Sequence, residues 1–77
     1  MKDLKIDAIA FRSSGWWVAQ CLQYDIATQT KVFEDIPYEL AKMLVGHMLI
    51  AKAHNLEPFE HLPPAPRKYW ELFSRGS

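Results

Sequence analysis

Between residues 15 and 29 the chain reads GWWVAQCLQYDIATQ, and its apolar bulk falls on both parities. Trp16, Val18, Gln20, Leu22 and Tyr24 share one side of an extended chain, and Trp17, Ala19, Cys21 and Gln23 share the other. A strand over 16–24 therefore carries one of two adjacent indoles on each face, and both faces of its sheet must meet something. Upstream, LKIDAIAFR alternates less strictly and predicts a first strand over 4–12. Between the two, RSSG supplies the polar residues and the glycine of a tight hairpin. A turn near Tyr24–Asp25, with Asp25 accepting a local backbone hydrogen bond, leads to a third short strand over 26–30.

Downstream the period changes from two to that of a helix, predicted over about 35–54. Glu34 and Asp35 favour a helix start, Pro37 fits a first turn, and Asn55 fits a stop. Ile36, Leu40, Met43, Leu44, His47, Ile50 and Ala51 form the stripe expected to face the sheet. Val45, Met48 and Leu49 lie off that stripe, so the helix is apolar nearly all round and predicts burial on more than one side. Gly46 costs about 1 kcal/mol against alanine in mid-helix, which points to close approach by another backbone. Four prolines between 58 and 66 then make a stiff connector, and Pro66 suits the first turn of a closing helix over 67–73. That helix carries Tyr69, Trp70, Leu72 and Phe73, too apolar for a free tail, and the last three residues, RGS, are expected to be disordered. The fold class is α+β: a three-stranded antiparallel sheet on one long helix, with a short C-terminal helix after a proline-rich turn.

Length sharpens the picture. With 77 residues the chain is a single domain, and one this small buries only about 60% of its unfolded surface. The single Cys21 cannot close an internal disulfide, so the thiol reads as a small core residue in a reducing compartment. Nine basic residues balance nine acidic ones, which leaves no cationic surplus for nonspecific nucleic-acid binding. No run of about 18 apolar residues exists to span a membrane, and the amino terminus lacks the apolar stretch of an export signal. A cytoplasmic protein is expected.

Candidate chemistry is sparse. His47, His54 and His61 recur every seven residues, but two helical residues seven apart are separated by about 10.5 Å of rise, too far to share one ion. His47 reads as a polar group among apolar neighbours, hydrogen-bonded once or set at a subunit boundary. No nucleophile elbow, phosphate-cradling glycine loop or convergent carboxylate pair is present, so no enzyme, cofactor or metal is expected. Trp16, Trp17, Tyr24 and Phe11 form an aromatic set that also suits base stacking, against which stands the shortage of cations in the hairpin, where Arg12 is alone. The remaining reading is association. Trp16, Trp17, Val45, Met48, Leu49, Tyr69, Trp70 and Phe73 are the residues expected to meet a partner or a second copy, as a dimer or tetramer.

The hairpin GWWVAQCLQYDIATQ, followed by a Glu- and Leu-rich helix, resembles the HicB-like antitoxin domain over residues 5–54. The longer pattern YELAKMLVGHMLIAKAHNLEPFEHLPPAPRKYWELF is similar to a short branch of that group. The resemblance implies an oligomeric α+β domain, related to double-stranded-RNA-binding or ribonuclease-H-like layers, that neutralises a small HicA-like toxin ribonuclease. Full antitoxins add a DNA-binding segment, and none is expected here, which suits an orphan regulator as well as an antitoxin. Ser13-Ser14-Gly15 stands where the family has an acidic-Gly hairpin, and TQTKVFEDIP lacks the family's usual glycine. Two other classes compete: single-stranded RNA binding through the strand aromatics, and a ligand site at a subunit interface.

Overall fold

The computed structural model describes residues 5–76, in the order β1 (Ala8–Ser13), β2 (Trp16–Cys21), β3 (Ala27–Thr30), a 3-10 turn (Phe33–Asp35), α1 (Ile36–Ala53) and α2 (Arg67–Arg75). The architecture is the expected one: a three-stranded antiparallel sheet in the order β1-β2-β3, a long helix and a short closing helix. Leu4, the first residue of the strand expected over 4–12, and Ser77 of the RGS tail lie outside the described residues.

The hairpin closes over two residues, with Ser13 opposite Trp16. Ser14 (φ 50°) and Gly15 (φ 82°) both take left-handed backbone, the pattern of a type I′ turn, whose twist matches that of the strands it joins. The β2 strand ends at Cys21 and does not run to Tyr24, because the next residues pair elsewhere. Ala65 N–H donates to the Leu22 carbonyl (2.9 Å) and Asp25 N–H donates to the Pro63 carbonyl (2.7 Å). The proline connector is therefore a strap laid along residues 22–25, not a free spacer. Prolines lack donors, so over residues 63–66 the strap offers its carbonyl at Pro63 and the amide of Ala65.

Side-chain amides brace the same corner. Gln23 accepts from the Asp7 amide and donates to the Asp7 carboxylate, both at 2.8 Å. Gln20, buried, donates to Asp25 Oδ1 (2.8 Å) and to the Cys21 carbonyl (3.0 Å). Asp25 thus receives a side-chain amide where the sequence suggested a local backbone bond.

Trp17 meets Phe33 edge-on at the approach to α1, with ring centroids 4.7 Å apart, and Phe11 stacks on Tyr69 of α2 at 5.8 Å. Since Phe11 pairs with Val18, parity places Trp16, Val18 and Gln20 on the α2 side and Trp17, Ala19 and Cys21 on the α1 side. The core gathers Cys21, Ile26 and Phe59, with Ile6, Tyr24, Leu40, Leu44, Met48 and Leu62 packed around it. From α1 it therefore receives Leu40, Leu44 and Met48 with buried Ala51, while Met43 and Ile50 face outward. The expected stripe was rotated: Met48 belongs to the sheet side, and Met43 and Ile50 do not.

Asn55 (φ 57°) ends α1 as expected. Its N–H donates to the Lys52 carbonyl and Leu56 N–H donates to the Ala51 carbonyl (2.8 Å), the paired bonds of a left-handed helix stop. Phe59 also has positive φ (65°), which costs a bulky residue on the order of 1–3 kcal/mol. Its ring repays that by stacking on Tyr24, 4.7 Å between centroids, deep in the core. Pro66 caps α2 from outside the first turn, and the helix runs to Arg75, so most of the tail expected to be disordered is helical or turn.

Candidate association surfaces

Three apolar surfaces among the described residues bear on association. The first is the outer side of α1, where Tyr38, Val45, Leu49 and Ile50 are each more than half exposed, with Met43 beside them. Charge on this side is largely self-contained. Lys42 pairs with Glu39 at 3.2 Å and holds its ammonium 4.9 Å from the Tyr38 ring centre. Gly46 meets nothing within 4 Å of where a Cβ would sit. The close backbone approach expected there does not come from the described residues.

The second surface is a groove of about 570 Å³ where α1 meets the following loop, lined by Met48, Leu49, Leu56 and Pro58, with Lys52, Glu57 and Glu60 at its rim. The third is a cleft of about 370 Å³ between β1 and α2, lined by Ile9, Ala10, Phe11, Leu72, Phe73 and Gly76. No β2 or β3 residue lines it, which sets it at the β1 edge of the sheet.

The residues expected to meet a partner divide in two. Val45, Leu49, Trp70 and Phe73 are exposed. Trp16, Trp17, Met48 and Tyr69 are half-buried and engaged within the chain. Trp16 lies under the Lys31 ammonium (4.1 Å to the ring centroid), and Trp17 contacts Phe33 and carries the Arg12 guanidinium at 5.2 Å. Met48 packs on the core, and Tyr69 covers Phe11. Tyr38, Met43, Ile50 and Leu72 are exposed and went unassigned to any partner in the sequence. For Tyr38 the signal was available, because it falls on the same helical row as Val45 and Leu49. For Met43 and Ile50 it was not, since their spacing fits either side of an all-apolar helix.

Chemistry at these surfaces is thin. Burial pushes the Cys21 thiol above its ordinary pKa and so keeps it protonated. His47 sits half-buried with its ring 6.3 Å from that of Phe59, and among the described residues no side-chain hydrogen bond reaches that ring. Among the described residues no group of three or more His, Cys, Asp or Glu side chains is placed to hold a metal, and no helix is long and apolar enough to cross a membrane. No protein-family model, curated protein or solved structure matches the chain.

Proposed function

We propose that this chain is a small homo-oligomeric interaction protein of the cytoplasm, a HicB-like antitoxin or orphan regulator whose exposed surfaces meet a second copy and a HicA-like toxin ribonuclease. The single observation that carries the reading is the outer side of α1. A helix that spends Leu40, Leu44, Met48 and Ala51 on its own core still presents Tyr38, Val45, Leu49 and Ile50 to water. Four large apolar side chains left in water on one helix are the mark of an interaction site on a folded chain.

The strand aromatics weigh against nucleic-acid binding by stacking. Phe11 is covered by Tyr69, Tyr24 by Phe59 and Trp17 by Phe33, while Lys31 occupies a face of Trp16. A base would have to displace one of these neighbours, with no net positive charge to draw it in. The toxin reading is tested by co-expressing the chain with short basic ribonuclease frames found beside its gene. Relief of growth arrest by the wild type, lost in Leu49→Glu, is the expected result; arrest unrelieved by the wild type refutes neutralisation.

A further inference from the structure

We infer that the free edge of β1 pairs with the β1 edge of a second copy, antiparallel and centred on Ala10, so that two three-stranded sheets become one. The inference concerns a different part of the molecule from the outer side of α1 and does not rest on that reading.

The hydrogen-bond pattern of the hairpin sets which groups are available. In a two-residue hairpin the closing pair, Ser13 and Trp16, exchanges backbone bonds, and alternate pairs follow it. The Leu22 N–H to Asp7 carbonyl bond continues the same alternation. Ile9, Phe11 and Ser13 therefore turn their backbone groups toward β2, whereas Ala8, Ala10 and Arg12 turn theirs outward. No described element pairs with that edge. Natural edges are blunted by proline, bulges, shortness or charges pointing into the sheet. Along its six residues β1 has no proline, and its six-pair register with β2 is unbroken by a bulge. Its one charge, Arg12, sits near the end, over Trp17.

For a second copy, symmetry then selects the register. A twofold axis through an antiparallel pair needs facing residues on the same side of the sheet, so their numbers must sum to an even value. Centring on Ala10 sets Ala10 against Ala10, Ala8 against Arg12, and Ile9 against Phe11. That one register uses every outward N–H and C=O of Ala8, Ala10 and Arg12. Charge does not oppose it, since Arg12 of each copy then faces the uncharged Ala8 of the other. A parallel pairing would set Arg12 on Arg12. Side chains agree with it. Phe11 of the second copy arrives across from Ile9 at the rim of the cleft that Leu72 and Phe73 leave open. Both copies gain the same cover, as a closed symmetric contact requires. Used with the outer side of α1 the contact builds a tetramer; used alone it builds a dimer.

Hydrogen exchange on the wild-type chain, followed from low to high micromolar concentration, tests this directly. The amides of Ala8, Ala10 and Arg12 are expected to slow at least tenfold as the chain associates, while those of Phe11 and Ser13 are protected throughout. Fast exchange at Ala8, Ala10 and Arg12 in the associated state overturns the inference, and so does a chain that never associates. Ala10→Pro removes an outward donor and no bond to β2, so sedimentation should show its dissociation constant raised at least tenfold with the circular dichroism unchanged. Unchanged association in a folded Ala10→Pro refutes the contact. Leu49→Glu separates the two surfaces: it should weaken association through α1 while leaving the β1 amides protected in whatever dimer remains.

Discussion

On the α1 side of the sheet Ala19 and Cys21 are all but sealed from water, at 1% and 0% exposure, while on the α2 side Leu72 stays 49% exposed above Ile9 and Phe11. The α1 helix is apolar nearly all round and α2 is amphipathic, and both pack on the same short sheet. What differs is reach. The α1 helix brings Leu40, Leu44, Met48 and Ala51 to a core that the strap closes from the end with Phe59 and Leu62. The α2 helix has nine residues, arrives on a stiff proline lead, and is fastened to β1 by the Tyr69–Phe11 stack. A chain of this length has enough apolar side chains for one dry layer and leaves the second half-built.

The largest blow to that contrast should come from the sealed side. Phe59→Ala removes a buried ring and its stack on Tyr24, at a cost of about 3–5 kcal/mol. A chain of 77 residues is expected to have only about 4–12 kcal/mol in all, so urea unfolding should shift to very low denaturant. Next in size, Leu49→Glu should raise the dissociation constant of the oligomer tenfold or more in sedimentation, with the melting temperature of the dilute chain unchanged.

Tyr69→Ala tests the open side. It should cost the stack, about 0.5–1.5 kcal/mol beyond lost burial, and free α2 amides to exchange while those of β2 stay protected. Gly46→Ala should stabilise the dilute chain by about 1 kcal/mol, since the new methyl meets nothing and alanine is the better helix former.

The smallest effect is in alkali. Burial raises the folded-state pKa of the Cys21 thiol above its unfolded value, so its contribution is fully present below the ordinary thiol range. It is lost as the pH climbs through that range, where only the unfolded thiol ionises. Wild type should therefore lose stability relative to Cys21→Ala between pH 8 and pH 10.

Local signals were legible in the sequence, and long-range ones were not. Ser14-Gly15 announces its own turn, the parity of Trp16 and Trp17 divides the faces, and Asn55 marks the end of α1, because each of these is settled within a few residues. The end of β2 at Cys21 is set by carbonyl and amide partners near Pro63 and Ala65, some forty residues away, and no periodicity carries that. The rotation of α1 was hidden for a different reason. With Met43, Leu44, Val45, Met48, Leu49 and Ile50 all apolar, spacing allows several inward stripes, and the position of Ile26 and Phe59 decides among them. Of the surface residues, Val45, Leu49, Trp70 and Phe73 were legible by excess apolarity alone. The indoles and Tyr69 were not, since neighbours in sequence or across the sheet already use their faces.

Sedimentation of the wild-type chain from one to several hundred micromolar reaches the central claim with least interpretation. The account requires a mass that climbs to that of a dimer or tetramer within this range. A folded species that holds the mass of one chain throughout, with Tyr38, Val45 and Leu49 in contact with water, contradicts it.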